Sequence, residues 1–309
     1  MSSTFKNFNS YKNGQYQKRA GGGGDSRGRV APIQLIAPKQ IVLSPQQKDV
    51  TEWVMDGEGN LILIARAGTG KTSTLMEIAK IIKGRGFMGS FNKAIAEEFK
   101  ARLAGQGSLH VEGSTLHSAG MKAIRKLFPS IQVDSKGDKV GRMISDEIGR
   151  DGSGLEWKSM GMFRKVVGFA KQQCLGLDKG NVRTTDDWMD VIDEYELAEE
   201  INALTPMDKF IAVCERIYVK SLSMCDKVID FDDMLLAPLH FKAPFQKYDW
   251  VMVDEAQDTN YARRKVLFEM CYEPKDGRAS STRLIAVGDP MQAIYRFAGA
   301  NANSLDLIK

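Results

Sequence analysis

No apolar run in this 309-residue sequence approaches the roughly 18 residues that a membrane-spanning helix needs, and its N-terminus has no apolar core like that of a secretory signal. Both absences lead us to expect a soluble, cytoplasmic chain without a membrane partner. Cysteine is scarce: Cys174, Cys214, Cys225 and Cys271 lie far apart, with no C-x-x-C pair and no histidine cluster beside them. That excludes a disulfide framework legible from spacing, and the four read as reduced, structural thiols. The body also lacks an excess of either charge. The formal +4 is concentrated in the first thirty residues, where Lys6, Lys12, Lys18, Arg19, Arg27 and Arg29 face only Asp25, a local +5 that leaves about −1 for everything after. The same stretch is poor in aliphatics and runs through four consecutive glycines, Gly21 to Gly24, so residues 1–30 are expected to be a disordered, solvated basic tail. Its Phe5, Phe8, Tyr11 and Tyr16 alternate with lysines, which also suits stacking on bases.

What is present begins with 43% hydrophobic residues, enough for a substantial core and, at this length, for two globular units. The organising stretch is Ala65-Arg66-Ala67-Gly68-Thr69-Gly70-Lys71-Thr72, directly after the apolar run of residues 61–64. A buried strand entering such a loop and a helix leaving it is the setting of a phosphate-binding loop. The backbone of Ala67, Gly68, Thr69 and Gly70 can fold around an anion, Lys71 can reach the β- and γ-phosphates, and the Thr72 hydroxyl can hold Mg²⁺. Leu75, Ile78, Ala79 and Ile82 give the following helix one apolar stripe.

Upstream, Ser44 and Pro45 mark a helix start. Gln47 has two readings there: a capping-box residue returning to the Ser44 backbone, or an amide that pairs with an adenine edge. The residues alone leave both open. Downstream, strands are expected at residues 87–91 and 109–115, with a helix between them carrying Ile95, Phe99 and Leu103 on one face. Lys93 and His117, taken singly, read as ordinary surface residues, although polar and aromatic residues at strand ends lie at the ligand-binding rim of an α/β sheet.

From residue 120 to 228 the strand signals disappear. Helical stripes follow one another: Val140, Met143, Ile144 and Ile148; Phe163, Val166, Val167, Ala170 and Cys174; Trp188, Val191, Ile192 and Tyr195 behind a Thr185 cap; then Phe210, Val213, Cys214 and Ile217. An all-helical insertion is expected, and the acidic stretch 186–200 reads as a solvated face. The sheet resumes at residues 248–253, a strand that delivers Asp254-Glu255-Ala256-Gln257-Asp258 at its carboxyl end. One carboxylate there can hold a nucleotide's Mg²⁺ and the next can polarise an attacking water. A last strand, residues 284–287, leads to Gln292, placed to sense a γ-phosphate, and to Tyr295 and Phe297, which offer faces for stacked bases.

Together these stretches resemble the N-terminal part of the UvrD/Rep-type superfamily 1 helicases, over roughly residues 40–305. The resemblance is an ordered series: residues 43–48 (Q motif), 65–72 (motif I), Phe91-Asn92-Lys93-Ala94 (Ia), Thr115-Leu116-His117-Ser118 (Ib), 254–258 (II) and 288–300 (III), with Asp230-Phe231-Asp232-Asp233-Met234-Leu235 matching the acidic-aromatic run ahead of motif II. It implies a P-loop NTPase of RecA-like α/β fold, a parallel sheet built from residues 31–119 and 229–309 with a helical subdomain, 120–228, inserted. It also implies an ATP-dependent DNA helicase with ATP and Mg²⁺ as cofactors. By resemblance Gln47 recognises adenine; Lys71, Glu255 and Gln292 are catalytic; Thr72 and Asp254 hold the metal. Phe91, Asn92, Lys93, Thr115, His117, Tyr295 and Phe297 line the single-stranded DNA path. Motif III resembles the 3′ to 5′ branch, with Phe297 where the family usually has tryptophan. Family members continue into a second RecA-like domain whose arginines reach the γ-phosphate, and no candidate for them follows in this sequence. The chain is therefore expected to be the N-terminal half of such a helicase, or an ATP- and DNA-binding module that docks with a separate chain carrying that domain. A small-molecule P-loop kinase shares only the phosphate loop and acidic strand.

Overall fold

The computed structural model describes residues 42–66, 68–136, 138–150, 154–273 and 281–292; the basic tail, Ala67, Tyr295 and Phe297 lie outside them. In chain order the first elements are α1 (Pro45–Asp56), β1 (Leu61–Ile64), α2 (Lys71–Ile81), β2 (Gly86–Ser90), α3 (Lys93–Gly105), β3 (Val111–Thr115) and α4 (Leu116–Leu127). A long helical stretch follows: β4 (Gln132–Val133), α5 (Asp138–Ile148), α6 (Met160–Gln172), α7 (Thr185–Glu194), α8 (Ala198–Asn202), α9 (Met207–Ser223), β5 (Val228–Ile229) and α10 (Asp233–His240). The described chain then returns to the sheet with β6 (Trp250–Val253), α11 (Tyr261–Glu269) and β7 (Arg283–Gly288).

Five strands form one all-parallel sheet in the order β1-β7-β6-β2-β3. β6 is apolar throughout and β7 from Leu284 to Val287, as suits strands covered on both faces. Val251, Val253, Leu284, Ala286 and Phe87 join the core shared with α4 to α11, whereas Met252, Ile285, Val287 and Met88 pack with α2 and α3 residues such as Leu75, Ile78 and Phe99. β1 departs from the buried strand expected: it pairs only with β7 among the described residues, and Ile64 is 68% exposed. The helical stretch is not wholly helical, since β4 and β5 pair in parallel and tie its two ends together. The cap of α7 is Thr184 rather than Thr185, because the Thr184 hydroxyl accepts from the Asp187 N–H while the Asp187 carboxylate returns to the Thr184 N–H. On α3 the core stripe is Ala96, Phe99 and Leu103; Ile95 turns outward at 37% exposure. Among the described residues no helix is long and apolar enough to cross a membrane.

One close approach fixes the relation of α4 to α10. A Cβ on Gly120 would stand 2.0 Å from the Met234 carbonyl oxygen and 3.4 Å from Pro238 Cγ. Gly120→Ala is therefore expected to force the helices apart and cost about 1–3 kcal/mol, read as a lower urea midpoint. An unchanged midpoint would contradict this packing.

Candidate active site

The strand order brings three distant stretches to one rim, because β7 lies between β1 and β6 and the loops after all three leave from their carboxyl ends. The loop after β1 is pinned to β7 by the Ala65 N–H donating to the Gly288 carbonyl at 3.0 Å. Gly70 sits at φ +86°, a left-handed conformation that glycine adopts without the Cβ penalty, and α2 begins at the next residue.

Lys71 is 7% exposed, and its Nζ lies 3.0 Å from Glu255 Oε2. The Thr72 hydroxyl donates to Asp254 Oδ2 at 2.6 Å. Burial raises the Asp254 carboxyl above the usual aspartate range, against the Thr72 hydrogen bond and the Lys71 charge. Glu255 adopts φ +51°, a left-handed conformation uncommon for a residue with a Cβ. Its N–H donates to Asp254 Oδ1 at 3.0 Å, and its Oε2 accepts from Gln257 Nε2 at 2.9 Å. The other end of the Gln257 amide accepts from the Asp289 N–H at 3.0 Å, so the turn after β6 is tied to the turn after β7. Gln292 lines the same cleft of about 980 Å³, together with Thr72, Asp254 and Glu255.

This donor set suits a magnesium-bound nucleotide. The Lys71 ammonium is buried with an ion pair to Glu255 but no aligned hydrogen bond, an unmet donor. Among the described residues no cluster of three or more His, Cys, Asp or Glu forms a cation cage. Thr72 and Asp254 instead offer two oxygens, as suits an ion that keeps waters and shares phosphate ligands. Gln47 takes the capping-box position, one of its two sequence readings, and its amide also reaches α2. Its Oε1 accepts from the Ser44 N–H at 2.9 Å in a capping box, while its Nε2 donates to Thr74 Oγ1 on α2 at 2.9 Å.

Phe91, half-buried at the end of β2, lies beneath the Arg263 guanidinium, 5.0 Å from ring centroid to Cζ. Asn92 is the N-cap of α3, accepting from the Ala94 N–H at 2.7 Å, and Lys93 is exposed beside it. Thr115 caps α4 by accepting from the Ser118 N–H at 3.1 Å. His117 is not the surface residue its sequence suggested: it is 6% exposed, in the first turn of α4, stacked on Phe231 with centroids 3.9 Å apart. Burial first, and then Arg263, push its pKa down to about 3, so the ring is neutral at neutral pH. Phe231 covers it and is itself 59% exposed. Sequence reasoning noticed the Phe231 run without giving the ring a role and passed over Arg263, which also lines the cleft. The four cysteines are free, and burial raises their thiols, to about 12 at Cys225 and about 11 at Cys271, as befits inert structural groups.

A family model described as UvrD/REP helicase N-terminal domain matches residues 43–309. Among curated proteins the chain is similar to the ATP-dependent DNA helicase Rep of Escherichia coli K12, 26% identical over 286 residues, covering 86% of this chain and 38% of Rep. It is also similar to the ATP-dependent DNA helicase UvrD1 of Mycobacterium tuberculosis H37Rv, 24% identical over 288 residues (85% of this chain, 35% of the relative). DNA helicase IV of Escherichia coli K12 is 25% identical over 305 residues (85% of this chain, 42% of the relative). The chain thus spans roughly two fifths of these relatives' length. The family match takes in the capping box at Ser44, the loop after β1, the β2–α3 segment and the linked turns after β6 and β7, and with them every residue that lines the cleft. The chain belongs to the UvrD/REP helicase N-terminal domain family.

Proposed function

We propose that this chain binds ATP with Mg²⁺ in the cleft behind β1, β7 and β6 and holds single-stranded DNA along the face that carries Phe91. Joined to a second RecA-like domain, it converts ATP hydrolysis into 3′ to 5′ movement on that strand, as a DNA helicase. The carrying observation is the meeting of Lys71 with Glu255 at 3.0 Å and of Thr72 with Asp254 at 2.6 Å, the latter pair 182 positions apart, at the start of α2 and just after β6. Lys71 holds the phosphates, Thr72 and Asp254 hold the metal, Gln47 recognises adenine, and Glu255 takes a proton from the attacking water. When bound, Mg²⁺ supplies charge neutralisation at the phosphates. Gln292 senses the γ-phosphate, while Asn92, Lys93, Thr115, Tyr295 and Phe297 complete the strand path. His117 contributes by supporting Phe231 rather than by charge. Residues 31–119 and 229–309 are read as the two parts of the RecA-like domain, with 120–228 inserted.

Lys71→Ala is expected to weaken binding of a fluorescent ATP analogue with Mg²⁺ by two orders of magnitude or more, since it removes a buried cation from the phosphate site, at roughly 1.4 kcal/mol per tenfold. Unchanged affinity would overturn the nucleotide reading. A second reading is a module that binds ATP and DNA but hydrolyses nothing until a separate chain supplies a second RecA-like domain. Steady-state phosphate release by the purified chain, with and without single-stranded DNA, separates the two: stimulated turnover supports an enzyme complete in itself, and tight binding without turnover supports the module.

A further inference from the structure

Arg263 stands in the first turn of α11, where the Asn260 side chain caps the helix by accepting from the Arg263 N–H at 3.0 Å. Its Nη1 donates to the Asp258 carbonyl at 2.9 Å, and Asp258 ends the short turn that begins just after Glu255. The same guanidinium covers the Phe91 ring. One planar side chain thus touches the acidic turn of the nucleotide cleft and the aromatic ring at the carboxyl end of β2. Its Nε is buried without an acceptor among the described residues, so a shift of the turn that supplied one would improve its seat.

A second line leaves the same helix start. Asn260 Nδ2 donates to Gln172 Oε1 at 3.3 Å, and Gln172 Nε2 donates to Asp232 Oδ1 at 3.1 Å. Asp232 directly follows Phe231, the exposed ring stacked on His117. The carboxylates that act on the Arg263 charge are Asp258, on the cleft side, and Asp232, on the Phe231 side. The two carboxylates are carried by different turns, so displacement of either turn changes the charge balance at the guanidinium.

We propose that Arg263 is a positioning residue that couples occupancy of the nucleotide cleft to the placement of the Phe91 and Phe231 rings on the strand face. The proposal rests on the reading of the chain as an ATP- and DNA-binding domain. Arginine suits the task because its fork reaches a carbonyl with one arm while its plane lies over a ring; a lysine ammonium does one or the other. Coupling of this kind is reciprocal: DNA affinity responds to nucleotide by the same factor as nucleotide affinity responds to DNA.

The test measures binding of an oligo-dT labelled with one 2-aminopurine, with and without Mg²⁺ and the β,γ-imido analogue of ATP, on the whole chain and on Arg263→Met and Arg263→Lys. The wild type is expected to change its DNA affinity at least about fivefold on binding nucleotide. Arg263→Met is expected to lose most of that change and part of the 2-aminopurine quenching that reports stacking, with Arg263→Lys in between. A wild-type coupling ratio retained in Arg263→Met overturns the inference and leaves the ATP and DNA reading intact, as does a wild type that binds both ligands independently. Loss of analogue affinity in both variants also overturns it, by placing Arg263 in the nucleotide site. A wild type that binds neither ligand overturns the functional reading and the inference with it.

Discussion

Replacing Glu255 with glutamine is expected to lower DNA-stimulated ATP turnover by about 10²–10⁴-fold, the range that a positioned general base contributes, while nucleotide affinity stays within a few fold. Glutamine keeps the side-chain length and an oxygen for the Gln257 amide, which donates to Glu255 Oε2 at 2.9 Å. What it loses is the charge that faces Lys71 and would take the proton. The stability cost should be small. The Glu255 side chain is 38% exposed, and ion pairs reaching solvent are worth at most about 1 kcal/mol. A large fall in turnover with an unchanged melting curve would thus report chemistry rather than unfolding. The competitor for the role is Asp258, on the same cleft, whose carboxyl is pushed up to about 6, first by burial and then by the Glu255 charge. That value suits a base near neutral pH, but Asp258 Oδ1 is buried without a hydrogen-bond partner, whereas the Glu255 carboxylate faces Lys71. Phosphate-release rates for Glu255→Gln and Asp258→Asn side by side decide between them. If Glu255→Gln turned over within tenfold of wild type and Asp258→Asn collapsed, the role would pass to Asp258.

The parts of this site that could be read from sequence are those for which local chemistry and strand position say the same thing. An apolar run followed by a small-residue loop and Gly-Lys-Thr admits few conformations, and paired acids after residues 250–253 stand at the end of a strand covered on both faces. Gln47 was ambiguous because a capping box and an adenine edge both call for an amide; the fold forms the capping box and ties the Nε2 end to Thr74. The misreadings concern side-chain direction, which depends on partners elsewhere in the chain. Ile95 shares the helical spacing of Phe99 and Leu103, but the rim of the cleft lies on its side of α3. His117 looked solvent-facing until Phe231, 114 residues later, folded over it. Arg263 gave no local signal, since a second arginine in a charged helix is ordinary, and its significance comes from Phe91 and the Asp258 carbonyl. The two-residue strands β4 and β5 are too short for a period to show, and they exist because their partners meet across the helical stretch.

The largest expected loss of stability comes from beneath Phe231. Buried Lys171, Lys139 and Asp233 meet the half-buried Asp230 in a cluster of two cations and two anions. Lys171 Nζ lies 2.5 Å from Asp230 Oδ2 and 2.8 Å from Asp233 Oδ1, and Lys139 Nζ lies 2.6 Å from Asp233 Oδ2 while donating to the Ser221 carbonyl at 2.8 Å. Lys171→Met leaves two carboxylates on one ammonium in a dry site, and breaking one side of such a pairing costs about 3–5 kcal/mol. Adding Asp230→Asn removes the surplus charge and is expected to recover at least half of that loss, because the penalty lies in the uncompensated anion rather than in the missing attraction. Acid should narrow the gap between Lys171→Met and wild type. Burial opposes ionisation of Asp233, but Lys171 and Lys139 together hold its carboxyl down to about 2. A lowered folded-state value stabilises wild type fully above the ordinary aspartate range near 3.8, and that contribution fades as pH falls toward 2. The Lys171→Met carboxylates, short of one cation, take up protons at higher pH and so shed their penalty first. Urea midpoints at pH 7 and pH 4 measure both effects. A single-variant loss under 1 kcal/mol at pH 7, or a double variant no better than the single, would mean that packing rather than charge pairing holds the Phe231 turn in place.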